Sequence, residues 1–194
     1  MKKIPTIFDR DWDGDRSRVL DKPHPDCAWV FAGEGHATRK IDGTSCMVRD
    51  GKLYKRREIK KGQTAPQDFE VATQDEETGK TVGWVPVGDG PEDKYHREAF
   101  TRDASLADGT YELVGPNIQG NPEGYTENQL VPHTLARLML LNPPPLDFEG
   151  MRAWFGTEAN LEGVVWHHPD GRMAKIKARD FGVKRAPADP KFAP

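Results

Sequence analysis

With 194 residues, 36% of them hydrophobic and 30% charged, the chain can bury one modest core, which fits one domain or one domain with a small appendage. Its 16 prolines and 19 glycines weigh against a helical bundle, and no apolar run approaches the roughly 18 residues of a membrane helix. Two cysteines without paired spacing, Cys27 and Cys46, exclude a disulfide framework and a zinc site of usual spacing, and point to a reducing, cytoplasmic setting with no membrane partner.

The first 27 residues turn acidic too early for a signal peptide and read as an N-terminal extension. Residues 44–57, SCMVRDGKLYKR and its flanks, place apolar-rich arms around Asp50-Gly51 and predict an antiparallel hairpin with a type I′ turn. A weaker hairpin is expected in FEVATQDEETGKTVGWVPV, turning at Thr78-Gly79. GTYELVGP reads as a strand with Glu112 and Val114 on one face and Tyr111 and Leu113 on the other. HTLARLMLLN carries a helical apolar stripe of Leu135, Leu138, Met139 and Leu141, with Pro132 at its start. Asp147 caps a second helix, FEGMRAWF, which Gly156 is expected to stop. EGVVWHHPDGRMAKIK predicts strands near 163–168 and 172–178 around a Pro169-Asp170-Gly171 turn. The tail, residues 186–194, is Pro/Ala-rich and expected to be disordered. Strand-rich order with two late helices gives an α+β class with antiparallel sheets, centred on residues 28–185.

The net charge of −3 conceals an uneven distribution. Residues 39–61 hold nine Lys/Arg against three Asp/Glu, and residues 172–185 six against one. Between them, residues 66–103 hold ten acids against four bases. Two basic segments can build a phosphate-binding face without a basic pI, although solvated surface produces the same pattern.

Lys40-Ile41-Asp42-Gly43-Thr44 stands just before the first hairpin. A lysine attacks only when deprotonated, which an ordinary pKa of about 10.4 opposes. Neighbouring cations lower it, and Arg39, Lys55, Arg56 and Arg57 are near in sequence. Gly43 allows close backbone approach to a ligand. A surface lysine before a turn is the ordinary reading of such a motif by itself. Farther on, Glu112 is alone in the apolar strand ELVG, and Glu162 precedes the apolar run EGVV. Lys175 and Lys177 project from one face of their strand, either as edge lysines or as a phosphate site. His133, His167 and His168 lack metal spacing with each other or with Cys46, and read as structural or surface residues.

The ordered set Lys40–Gly43 (KxDG), Lys55-Arg56-Arg57, Glu112–Gly115 (ELVG), Glu162–Val165 (EGVV) and Lys175–Lys177 (KIK) resembles the motif series of ATP-dependent RNA ligases. Their superfamily also holds DNA ligases and mRNA capping enzymes. GWVPVGDGPEDKYHREAF and GTYELVGPNIQGNP resemble, more closely, the small human-type 5′–3′ RNA ligase family. The resemblance implies an antiparallel-sheet, ATP-grasp-like nucleotidyltransferase domain, here without a C-terminal OB-fold. It implies that Lys40 forms a lysyl-AMP from ATP, that Arg39, Asp42, Gly43, Arg56 and Arg57 contact the nucleotide, and that Glu112 binds the ribose. Glu162 would help place Mg²⁺ or Mn²⁺, and Lys175 and Lys177 would hold the α-phosphate. The partner would be RNA with 5′-phosphate and 3′-hydroxyl ends. Trp84, Phe100 and Tyr125 are candidates to stack on adenine, each also a natural core residue. A capping-type nucleotidyltransferase and a non-catalytic RNA- or nucleotide-binding module are the alternatives.

Overall fold

The computed structural model describes residues 4–75, 79–134, 138–158 and 160–186. The chain divides into two compact units, one built on Asp42–Thr134 and the other on Ile4–Ile41 with Leu135–Pro187.

The Asp42–Thr134 unit is a six-stranded antiparallel sheet. Chain order gives β4 (Thr44–Arg49), β5 (Lys52–Ile59), β6 (Glu70–Gln74), β7 (Thr81–Pro86), β8 (Gly109–Val114) and β9 (Gln129–Pro132), and spatial order is β6-β7-β5-β4-β8-β9. The β4–β5 hairpin turns at Asp50 and Gly51 with φ of 51° and 67°, the left-handed pair that a type I′ turn demands. In the β6–β7 connection, Gly79 donates its N–H to the Asp75 carbonyl; Thr78, the other expected turn residue, lies outside the described residues. One face of the sheet carries Cys46, Val48, Leu53, Tyr111 and Leu113, which pack with Ala99, Ile118 and Leu130 into a core. Ala99 belongs to a helix, α2 (Lys94–Arg102), that the sequence did not announce because Ala99 is its one buried residue. Asp93 fixes the start of α2 by pairing with Lys55 and accepting the Gly88 N–H. Gly43, just before β4, runs against β8 so closely that a Cβ there would stand 2.2 Å from the Leu113 carbonyl oxygen.

The other unit holds a three-stranded antiparallel sheet in the order β11 (Met173–Lys177), β10 (Gly163–His167), β3 (His36–Lys40), and a two-stranded ribbon of β1 (Phe8–Arg10) and β2 (Val19–Pro23). Helices α1 (Ala28–Phe31) and α3 (Phe148–Thr157) complete it. Its core gathers Ile7, Phe8, Trp29, Val30, Met151, Phe155, Val164, Trp166 and Ile176. Phe8 meets Phe31, Phe148 and Phe181 edge-on, the geometry aromatic quadrupoles favour. Asp147 caps α3 as expected, accepting the Gly150 N–H at 2.7 Å. The helix nevertheless passes through Gly156 and ends at Thr157.

The helix expected in HTLARLMLLN is corrected over its described part; Leu135 lies outside the described residues. Met139 forms an antiparallel bridge with Thr38, and the Leu140 N–H donates to the Ala37 carbonyl. Pairing with the edge of β3 overrides the helical stripe, and Pro143-Pro144-Pro145 follow at once. Leu141, counted as a core position of that stripe, is 90% exposed. Among the described residues, no helix is long and apolar enough to cross a membrane.

Two glycine substitutions separate close packing from mere flexibility. Gly43→Ala should destabilise the protein by about 2 kcal/mol through the collision with β8. Gly156→Ala, whose Cβ meets nothing within 4 Å, should stabilise it by about 0.5 kcal/mol. Urea unfolding of both variants measures the opposite signs.

Candidate active site

Strand register builds one group of candidate residues within the Ile4–Ile41/Leu135–Pro187 unit. Lys40 ends β3, Lys177 ends β11, and both stand opposite Gly163 at the start of β10. Directly opposed residues share a face, so the two lysines flank the point where Glu162 enters the sheet. Glu162 Oε2 accepts from Lys40 Nζ at 2.6 Å, and its Oε1 accepts from Lys177 Nζ. The side chains of Lys40, Lys177 and Glu162 are 22%, 17% and 11% exposed, so water screens this bridge poorly. Two ammoniums share one carboxylate, leaving a net positive charge suited to a phosphate.

The same alternation sorts the other residues expected here. Lys175 lies on the Lys40 face one pleat earlier, opposite Val165, which in turn opposes Thr38. Its backbone bridges to the N-terminal segment, its N–H donating to Pro5 and its carbonyl accepting from Ile7. Arg39 pairs with Val164 and therefore points to the opposite face, where Val164 and Ile176 form the core. A ligand on the Lys40 face does not meet the Arg39 side chain. At the far end of the face, His36 and His167 stack with ring centroids 5.2 Å apart, and His167 Nε2 meets Thr38 Oγ1 at 2.9 Å. His168 is held by Glu34 and Asp170. His167 and His168 thus have side-chain partners, and among the described residues no group of three or more His, Cys, Asp or Glu is arranged to hold a metal.

A separate group of candidate residues lies within the Asp42–Thr134 unit. The Asp42 and Gly43 N–H groups donate to two carboxylates, Glu123 Oε1 at 2.9 Å and Glu112 Oε1 at 3.2 Å. Both glutamates are buried. The glycine therefore serves first to let the chain lie against β8, rather than to admit a ligand. Glu112 opposes Ser45, and following the register across β4 and β5 puts Met47, Tyr54, Arg56 and Trp84 on the same face. Arg57 is one residue on, so it shares the Leu53 and Lys55 face instead. Of the three aromatic candidates, Trp84 alone lies cross-strand from Arg56, and it is buried, as Tyr125 is; Phe100 packs against the core. Lys55 was expected as a cation assisting Lys40, but its charge is neutralised by the buried Asp93. Glu123 and His133 were missed as site residues. Neither has a periodic signal: Glu123 lies in a loop, and His133 follows β9, whose pairing with β8 is a tertiary fact.

Burial pushes the Glu162 carboxyl up, but the charges and hydrogen bonds of Lys40 and Lys177 outweigh it and hold its pKa below the ordinary 4.5. A depressed folded-state pKa stabilises the fold above the ordinary value, and that contribution disappears as pH falls through the lower folded value. Glu162→Gln should cost about 3 kcal/mol at pH 7, because two half-buried ammoniums lose their partner. The gap between wild type and variant should close as unfolding is measured from pH 5 downward past 4.5. A pH-independent gap would contradict the ionic bridge.

Comparison with known proteins adds to this geometry. A model of the family "RNA ligase 1" matches residues 92–193, more than half of the chain and inclusive of Glu112, Glu162, Lys175 and Lys177. RNA ligase 1 of Danio rerio is 39% identical over 93 residues, 44% of this chain and 28% of that protein. The Pongo abelii protein of the same name is 34% identical over 87 residues, 41% of this chain and 26% of that protein. The Mus musculus protein is 24% identical over a longer stretch, covering 76% of this chain and 67% of that protein. The chain thus matches little more than a quarter of the length of the fish and orangutan proteins. By the extent of the family match, the chain belongs to the RNA ligase 1 family.

Proposed function

We propose that the chain is an ATP-dependent RNA ligase of nucleotidyltransferase fold that joins 5′-phosphate and 3′-hydroxyl RNA ends through a lysyl-AMP on Lys40. The observation that carries this reading is the Lys40–Glu162–Lys177 bridge. A structural ion pair needs one lysine for one carboxylate, whereas a phosphoryl site needs a nucleophile and a separate cation. The bridge supplies both.

In the first step, Lys40 Nζ forms a bond to the α-phosphorus of ATP, the bond to the β-phosphate oxygen breaks, and pyrophosphate leaves. Lys40 first gives its ammonium proton to solvent, which frees Glu162 Oε2, and the second proton, released as the N–P bond forms, leaves with the pyrophosphate. Lys177 remains a cation and neutralises the non-bridging oxygens, with Lys175 on the same face. AMP then passes to the RNA 5′-phosphate, and a 3′-hydroxyl displaces it to form the phosphodiester. Glu112 is proposed to accept from the ribose hydroxyls, and Arg56 to contact the nucleotide.

A divalent cation fits this donor set. Mg²⁺ or Mn²⁺ is satisfied by one or two carboxylates when water and phosphate oxygens complete its shell. Glu162 would hold it through the oxygen that Lys40 releases on losing its charge. Once bound, the metal would add to the neutralisation of phosphate oxygens.

With α-labelled ATP and Mg²⁺, wild type should become covalently labelled and Lys40→Ala should not. Lys177→Ala should label at least about 100-fold more slowly, the scale of a lost transition-state contact. Arg56→Ala should cost about tenfold, while Arg57→Ala, on the other face of β5, should stay within about threefold. Wild type that takes no label from ATP, GTP or NAD would dismiss the enzyme reading. Label without sealing of nicked RNA would favour end modification of the capping type.

A further inference from the structure

Glu112 is held from both sides within its own unit. Oε1 accepts the Gly43 N–H at 3.2 Å, and Oε2 meets His133 Nε2 at 3.0 Å. His133 is placed by the sheet itself, because the β8–β9 ladder continues one step past Pro132. Its N–H donates to the Thr110 carbonyl at 3.1 Å, so it stands opposite Thr110 and shares the face of Thr110 and Glu112. The other ring nitrogen, Nδ1, lies 3.0 Å from Thr110 Oγ1.

Donor and acceptor counting fixes the direction of the bond between His133 and Glu112. A carboxylate only accepts, so His133 Nε2 carries the proton. In the neutral ring Nδ1 is then the acceptor, and the Thr110 hydroxyl donates to it. The order is Thr110 hydroxyl, His133, Glu112, with Gly43 donating from the far side. A carboxylate offers about four lone-pair positions, and two are used by His133 and Gly43. Two remain, one on each oxygen, held in a fixed orientation. That is the acceptor pattern for two adjacent hydroxyl groups.

We infer that His133 is a positioning residue that locks the Glu112 carboxylate to grip the vicinal 2′- and 3′-hydroxyls of the nucleotide donor, and thereby sets selectivity for ribonucleotides over 2′-deoxyribonucleotides. The inference rests on the reading of Glu112 as the ribose ligand. His133 touches neither the nucleotide nor the reacting phosphorus, so its loss acts on binding rather than on the chemical step. Preorganised acceptors discriminate because a missing hydroxyl leaves one lone pair of a buried carboxylate without its donor. A carboxylate free to rotate can satisfy itself elsewhere, and discrimination falls.

The test is self-adenylylation of the full chain with ATP and with 2′-deoxy-ATP, measured across nucleotide concentration. His133→Ala should raise KM for ATP about tenfold, the scale of one hydrogen bond to a charged group, with kcat within about twofold. The preference for ATP over 2′-deoxy-ATP should shrink by a similar factor. His133→Gln, which returns an N–H donor to Oε2, should restore most of both. Thr110→Val keeps a β-favouring side chain of the same shape and should give a smaller change of the same kind, which decides the matter even if His133→Ala folds poorly. Variants that label with wild-type KM and wild-type discrimination would overturn the inference while leaving the ligase reading intact. An unlabelled wild type would remove that reading, and this inference with it.

Discussion

One carboxylate held between two lysines is the constraint around which this half of the chain is arranged. Glu162 is mostly withdrawn from water, and an isolated carboxylate there would be neutral rather than ionised. Two ammoniums keep it charged, and it keeps them parallel on one face of a three-stranded sheet. The arrangement requires that β3 and β11 end where β10 begins, with Lys40 and Lys177 both opposite Gly163. A slip of one residue in either strand pairing would send a lysine into the core with Val164 and Ile176. The apolar face of Ala37, Val164, Trp166, Ala174 and Ile176 therefore does more than stabilise the unit. By fixing register, it fixes which charges meet.

The second unit applies the same logic to backbone groups. Asp42 and Gly43 begin it, and their N–H groups end on two buried glutamates. Their orientation is thus set by side chains from distant parts of the sequence, and Gly43 is required by the nearness of β8. Glu112 links this anchor to His133 and Thr110, so an anionic side chain in an apolar sheet is fully directed. Lys55 shows the opposite case. It lies beside two arginines in the sequence, but the buried Asp93 offsets its charge, and the segment is less cationic than its composition suggests.

Much of this was legible from the sequence where the signal was local. Asp50-Gly51 named its turn, Asp147 named its helix cap, and the alternation of ELVG separated Glu112 from the core-facing Tyr111 and Leu113. The nearness of Glu162 to Lys177 followed from hairpin logic across Pro169-Asp170-Gly171. Less was legible where tertiary pairing decides. Leu138, Met139 and Leu141 carried a helical stripe, but Met139 bridges to the open edge of β3 instead. Arg39 sits next to Lys40 in sequence and on the other side of the sheet in space, which a charge count cannot distinguish. Glu123 and His133 have no periodic neighbours to mark them, and only the fold reveals what they hold.

The central claim is that Lys40 becomes covalently bonded to AMP beside Glu162 and Lys177. Peptide mapping by mass spectrometry after incubation with ATP and Mg²⁺ tests it most directly. The account predicts a single AMP adduct on the peptide containing Lys40, acid-labile as a phosphoramidate is, and discharged when 5′-phosphorylated RNA is added. An adduct on any other lysine, or none on wild-type protein, would contradict it.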